Sequence, residues 1–271
     1  MIKNKIIQPT ILIVDSGVGG LSIYKEIKNL LLHVNYIYVM DNQGFPYGEK
    51  SITFITNRIL NIIYTVQQYH SISMVIIACN TASTVTLPKL HKYFNVPVVG
   101  VVPAIKSAVK ITRNGIIGLL ATKVTMQQPY TQDLITIFAN GYTIKKISSS
   151  ELVVLAESKL YNKKIDYTIL KKILYPWISI SHPPDTIVLG CTHFPLIRKE
   201  LAQVLPTGTV LIDSGNAIAR RVSWLLTHQI NILNIEYDIV YVTKNNPYIQ
   251  DFWPILSLMG FSKLLELHLL S

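Results

Sequence analysis

Cysteine is nearly absent from this chain: its 271 residues include two, Cys79 and Cys191. Two thiols exclude a disulfide-stapled scaffold and a four-cysteine zinc site. Charge is sparse as well, with 15% charged residues against about 25% in a typical soluble domain. Long apolar runs are missing. Stretches such as 11–14 and 74–78 fall far short of the ~20 residues that span a bilayer, so no membrane segment is expected. The basic opening Met1-Ile2-Lys3-Asn4-Lys5 is not followed by a cleavage site after its apolar segment. The expected location is the cytoplasm, with reduced thiols. No dense Lys/Arg run accompanies the formal charge of +10. The cations are scattered in pairs such as Lys163-Lys164, Lys171-Lys172 and Arg220-Arg221, which reads as a generally basic surface before it reads as a nucleic-acid footprint.

What the chain does have is hydrophobic mass, 49% of its residues, enough for a large core and incompatible with intrinsic disorder. Short apolar runs alternate with amphipathic stretches. Strands are expected at 11–14, 36–40, 74–78, 96–101, 115–120, 142–147, 186–189, 209–212 and 239–242. Helices are expected at 21–32, 51–69, 124–138, 151–160, 167–177 and 217–226. This alternation predicts an α/β fold of parallel sheets covered by helices on both faces. Two internal echoes suggest related halves. Residues 75–81 (VIIACNT) resemble 187–193 (IVLGCTH), and Val14-Asp15-Ser16-Gly17 resembles Ile212-Asp213-Ser214-Gly215.

In open parallel sheets ligands sit beyond the carboxyl ends of the strands. Asp15, Asp41, Cys79, Cys191 and Asp213 all fall there. The two cysteines admit three chemistries. A redox dithiol normally has close spacing, which these lack. A metal site could recruit Cys79, Cys191, His193 and Asp15, but the spacing is not that of a zinc site. Acid/base chemistry from two faces needs one thiolate to remove a proton while the opposite thiol delivers one. A free thiol titrates near about 8.5, so the thiolate needs a helper. Each cysteine ends a strand before a predicted helix, whose free N–H groups favour an anion. Asp15 is placed to serve one thiol and His193 the other. Asn80, Thr81 and Thr192 add polar donors. Ser16 and the N–H groups of Gly17, Val18 and Gly19 could hold a carboxylate. The same glycines match neither a Walker A loop nor the dinucleotide fingerprint. The turn Phe45-Pro46-Tyr47-Gly48 could present Tyr47 and a backbone N–H over a pocket.

Taken together, the segments 15–22 (DSGVGGLS), Pro46-Tyr47-Gly48, 78–83 (ACNTAS), 190–196 (GCTHFPL) and Asp213-Ser214-Gly215 resemble the glutamate racemases, cofactor-independent amino-acid racemases of bacterial wall synthesis. The resemblance runs from about 11 to 226, and the tail matches loosely. Stretches 45–51, 98–105 and 181–196 look most like the gamma-proteobacterial branch. Region 149–157 departs from the wider family, which often has a Cys-Pro pair there.

The resemblance implies two doubly wound parallel-sheet domains related by pseudo-twofold symmetry, residues 1–101 plus 212–271 and residues 102–211, with the active site in the cleft between them. It implies that Cys79 with Asp15 deprotonates D-glutamate and Cys191 with His193 deprotonates L-glutamate. Asp15, Ser16, Tyr47, Gly48, Asn80, Thr81, Thr192 and His193 would hold the substrate. It implies neither a metal nor pyridoxal phosphate, and it implies D-glutamate supply for peptidoglycan and cell shape. Similar branches respond to the activator UDP-N-acetylmuramoyl-L-alanine, for which Lys106, Arg113 and Lys123 are candidate contacts. Rival readings are an aspartate, hydantoin or maleate enzyme of the same superfamily, and a regulatory protein that binds DNA gyrase.

Overall fold

The structure, a computed structural model, describes residues 8–160, 163–226 and 238–270; the Met1–Lys5 stretch lies outside them. Among the described residues ten strands form two wholly parallel sheets. The first sheet contains β1 (Thr10–Asp15), β2 (Asn35–Met40), β3 (Met74–Ile77), β4 (Val98–Gly100), β9 (Asp238–Val242) and β10 (Phe261–Glu266). The second contains β5 (Ile116–Ala121), β6 (Thr143–Ser148), β7 (Thr186–Gly190) and β8 (Val210–Ile212). The helices needed below are α1 (Leu21–Leu30), α2 (Ile52–Gln67), α3 (Asn80–Tyr93), α4 (Ile105–Val109), α5 (Lys123–Gln127), α6 (Pro129–Phe138), α7 (Glu151–Leu160), α8 (Tyr167–Ile178), α9 (Arg198–Val204) and α10 (Gly215–Leu226).

The strand orders carry the internal relationship. The first sheet runs β10-β9-β2-β1-β3-β4 and the second β6-β5-β7-β8. Each contains the same four-strand order, second-first-third-fourth. Cys79 follows β3 and Cys191 follows β7, the third strand of each set, so the cysteine echo reflects topologically equivalent places. The aspartate echo does not. Asp15 ends β1, whereas Asp213 follows β8, the counterpart of β4. Their likeness is a local turn: Gly17 N donates to Asp15 Oδ1 and Gly215 N to Asp213 Oδ1, each at 2.8 Å.

Period-two alternation divides each apolar run between two cores. Ile11 and Ile13 face one core of the first sheet while Leu12 and Val14 face the other. Ile187 and Leu189 are likewise separated from Val188 in the second sheet. Strands buried on both faces read as unbroken apolar runs, and each fully buried Ile, Leu or Val contributes about 1.5–3 kcal/mol. The helix expected over 124–138 is two, α5 and α6, because Pro129 starts the second and cannot continue the hydrogen bonding of the first. The edge strand β10 has no counterpart in the sequence reading. Its FSKLLE pattern leaves most positions exposed and lacks a clean alternation. Among the described residues no helix is long and apolar enough to cross a membrane.

The chain passes twice between the sheets, near Val102 and near Asp213. Ser214 Oγ donates to the Val102 carbonyl and ties the two passages together. Arg198 on α9 holds both the Leu211 carbonyl, at 2.6 Å, and the Asp213 carboxylate. Asp213 is therefore engaged at the crossing, and the other edge carboxylate, Asp41, is engaged by Arg58.

Candidate active site

Both cysteines are free, with Cys79 6% and Cys191 7% exposed. They line one cavity with Ser16, Tyr47, Gly48, Thr81 and His193, so seven of the residues singled out in the sequence meet there. Asp15, Asn80 and Thr192 are buried just behind that lining. Pro46, named in the sequence only as part of the turn that presents Tyr47, also lines it, and the sequence reading assigned no role to Thr122, Ser150 and Val153, which complete the wall. The space left among these side chains is about 10 Å³, room for roughly one water.

Cys79 caps the 14-residue helix α3. Burial pushes its thiol well above the ordinary range, the Asp15 charge adds to this, and the Ala82 N–H at the helix start opposes it. The proton therefore rests on sulfur until substrate arrives. Ser16 Oγ lies 3.9 Å from Cys79 Sγ, so Ser16 is the hydroxyl beside this thiol, and Asp15 reaches it as a buried charge. The Asp15 side chain is fully buried, accepting from Gly17 N at 2.8 Å and from Thr192 Oγ1 at 3.1 Å. Burial raises its pKa, against the pull of His193 and of these two donors.

The Cys191 side is built differently. A 3-10 turn, Phe194–Ile197, and the seven-residue α9 follow it, a weaker helix start than the one expected. A histidine takes over that role. His193 Nδ1 lies 3.9 Å from Cys191 Sγ, and His193 Nε2 is 2.7 Å from Glu157 Oε2 on α7. Burial works against a charge on this imidazole. The hydrogen bonds to Cys191 and Glu157, together with the Glu157 charge, outweigh it and hold His193 well above the usual histidine range. Glu157 lay in the segment that departs from the wider family pattern, and nothing in its spacing linked it to a histidine 36 positions away. Phe45 packs on the other side of the ring, with centroids 5.6 Å apart.

Glycine lets these groups approach. A Cβ on Gly19 would stand 2.6 Å from both His193 Nδ1 and Thr192 Oγ1, and one on Gly17 would stand 2.9 Å from Glu157 Oε2. The Asp15-Ser16-Gly17 turn thus presses against the Cys191 loop instead of forming an open anion cradle. Two further details refine the expected roles. The Tyr47 hydroxyl is bonded to Asp41 Oδ2 at 2.5 Å, so Tyr47 offers the cavity its ring and backbone. Asn80 Nδ2 is buried without a hydrogen-bond partner, which leaves a donor beside Cys79 free for a ligand. The hydroxyls of Thr81, Thr122 and Thr125 form a triangle of 2.9–3.1 Å contacts joining α3 to α5 across the cleft. The residues weighed as metal ligands meet around the cavity without forming a ligand set: among the described residues no cluster of three or more His, Cys, Asp or Glu could hold a metal ion.

The Asp/Glu/hydantoin racemase family model matches residues 11–222. The glutamate racemase of Photorhabdus laumondii is 56% identical over 265 residues, spanning 97% of this chain and 92% of that protein, so the likeness extends well into the tail that matched only loosely by motif. The crystal structure of Escherichia coli glutamate racemase in complex with L-glutamate and the activator UDP-MurNAc-ala superimposes with a TM-score of 0.93 at 50% identity, covering 98% of this chain and all of that one. A Bacillus anthracis glutamate racemase superimposes at 0.81 with 26% identity over 95% of this chain and 96% of its own. Equivalent strand ends, two buried thiols and these likenesses agree: the chain belongs to the Asp/Glu/hydantoin racemase family, among its glutamate racemases.

Proposed function

We propose that this protein interconverts L- and D-glutamate by removing the α-proton with one thiolate and delivering a second proton from the opposite thiol, without a cofactor. The observation that carries the reading is the pair of buried cysteines at equivalent strand ends, lining one cavity and each with its own proton-handling neighbours. The substrate α-carbon sits between the sulfurs. Cys191, with His193 and Glu157 behind it, removes the proton of L-glutamate as Cys79 delivers its own to the opposite face, and the roles exchange for D-glutamate. Each turnover leaves one thiol protonated and the other not, so the proton count balances. Ser16, Tyr47, Gly48, Asn80, Thr81 and Thr192 hold the carboxylates and the ammonium. An α-proton is a far weaker acid than a thiol, so the cavity must exclude water while transfer occurs. The closeness of the walls supports that requirement. Residues 1–101 with 212–271 form one lobe and 102–211 the other, and the lobes open for exchange of substrate and product.

The test is racemisation of each enantiomer by purified protein in deuterium oxide without added cofactor. Product carrying deuterium at the α-carbon is expected from both directions, with aspartate and hydantoins turned over poorly or not at all. Chelators and carbonyl reagents are expected to leave the rate unchanged. Loss of activity on chelation, restored by zinc, would refute the cofactor-independent reading. In the cell the product supplies peptidoglycan synthesis from the cytoplasm.

Activation by UDP-N-acetylmuramoyl-L-alanine is part of the same proposal. A groove of about 390 Å³ runs beside Val98, Val99 and Gly100, with His91, Tyr130 and Arg221 at its walls. The cation lining it is Arg221, with the His91 imidazole beside it. Lys106 stacks over Phe138, and Arg113 pairs with Asp185 beside β5, so those two and Lys123 do not converge on the groove. The precursor is expected to raise kcat/KM, and Arg221→Ala to blunt that response without changing the basal rate. Equal activity across a wide precursor range, with no heat of binding, would remove the activator and leave the racemase reading intact.

A further inference from the structure

Asp41 follows β2 directly, with its side chain wholly buried, and the reaction as described does not use it. Four donors converge on its carboxylate. Oδ1 accepts from Arg58 Nη2 at 2.7 Å and Thr243 Oγ1 at 2.6 Å. Oδ2 accepts from Arg58 Nε at 2.8 Å and the Tyr47 hydroxyl at 2.5 Å. These donors come from α2, from the residue after β9 and from the turn that walls the cavity. The Asp41 N–H donates to the Asp15 carbonyl at 2.8 Å. The turn wraps so closely that a Cβ on Gly44 would collide with Asp41 Oδ2. At its far end Gly48 meets Thr122 of the opposite lobe, where a Cβ would stand 3.0 Å from the Thr122 methyl.

We infer that Asp41, clamped by Arg58, is a positioning residue for substrate binding: it fixes Tyr47 and Gly48 as a rigid wall of the glutamate site. A buried ion pair is seldom worth more to stability than well-packed apolar side chains of similar volume. Its distinctive property is direction, since a bidentate guanidinium holds a carboxylate in one orientation. That orientation aims Oδ2 at the Tyr47 phenol. Tyr47 has no second polar side-chain tie among the hydrogen bonds of the described residues. The wall touches parts of the substrate common to both enantiomers, so its loosening weakens binding of each alike and leaves proton transfer between the thiols untouched. The inference rests on the glutamate racemase reading for its kinetic consequence, though not for its structural one.

The experiment compares Tyr47→Phe, Arg58→Lys and Asp41→Asn with the wild-type protein, by steady-state kinetics in both directions and by amide hydrogen exchange. Tyr47→Phe deletes one hydroxyl and keeps the ring, so it remains informative if Asp41→Asn fails to fold. The expected result is a KM raised about tenfold for L- and D-glutamate alike, equivalent to about 1.4 kcal/mol. The kcat stays within about twofold, its pH profile and α-deuterium isotope effect are unchanged, and exchange across residues 45–50 accelerates while β1 and β3 keep their protection. Wild-type KM together with wild-type exchange across 45–50 would overturn the clamp, as would a fall in kcat at constant KM. If wild-type protein fails to racemise glutamate, the functional reading falls and the exchange measurement still decides whether Asp41 holds the wall.

Discussion

Cys79→Ala and Cys191→Ala each reduce racemisation by at least about 10³-fold in both directions, the scale of loss when a positioned acid or base is removed. The two thiols follow strands of different sheets and line one cavity, and each is expected to serve one face of the α-carbon. Reversal at the α-carbon needs both. Each substitution deletes one buried sulfur from a cluster of apolar neighbours, at a stability cost of about 1 kcal/mol. A native circular dichroism spectrum together with the assay separates lost chemistry from lost fold. Substantial racemase activity in either variant would end the two-thiol mechanism.

Asp15→Asn and His193→Asn lower kcat by about 10²-fold, with unequal isotope effects in the two directions because Asp15 lies on the Cys79 side and His193 on the Cys191 side. The overall equilibrium cannot shift, so primary deuterium isotope effects measured from each enantiomer carry the evidence. Equal changes from both substitutions would dissolve the pairing of helpers with thiols. Asp15→Asn has a second consequence. Burial raises the folded-state pKa of Asp15 above its ordinary value of 3.8. The folded chain then binds more protons at this site than the unfolded chain, and stability from this group falls as pH climbs from 3.8 through the raised value. Asparagine carries no such charge and keeps an oxygen for the Gly17 N–H. The variant is expected to melt at a higher temperature than wild type near neutral pH, with the difference shrinking toward pH 4. A less active and more stable variant is the outcome for a charge retained for chemistry. A variant that melts lower at pH 7 than wild type would show that the Thr192 and Gly17 contacts outweigh the burial of the charge.

Much of this was legible in the sequence by itself. Strands buried on both faces, such as β1, β3 and β7, leave unbroken apolar runs and were expected close to where they lie; the largely exposed edge strand β6 was expected from its place in the strand-helix rhythm, and β10, equally exposed, has neither an apolar run nor a clean alternation. The cysteine motifs identified both thiols, their flanking donors and the family, because reactive side chains collect where a parallel strand ends and a helix begins. Tertiary structure alone decided three things. Only the strand order shows that the cysteine echo joins equivalent positions while the aspartate echo is merely a shared turn. Only the packing of α7 against the Cys191 loop brings Glu157 to His193, and only the meeting of β2, β9 and α2 turns Asp41 into the anchor of Tyr47. The physical reason is one of range. Hydrophobic period and turn chemistry are written in neighbouring residues, whereas the charge state of a buried imidazole or the aim of a phenol depends on atoms that approach only when distant segments fold together.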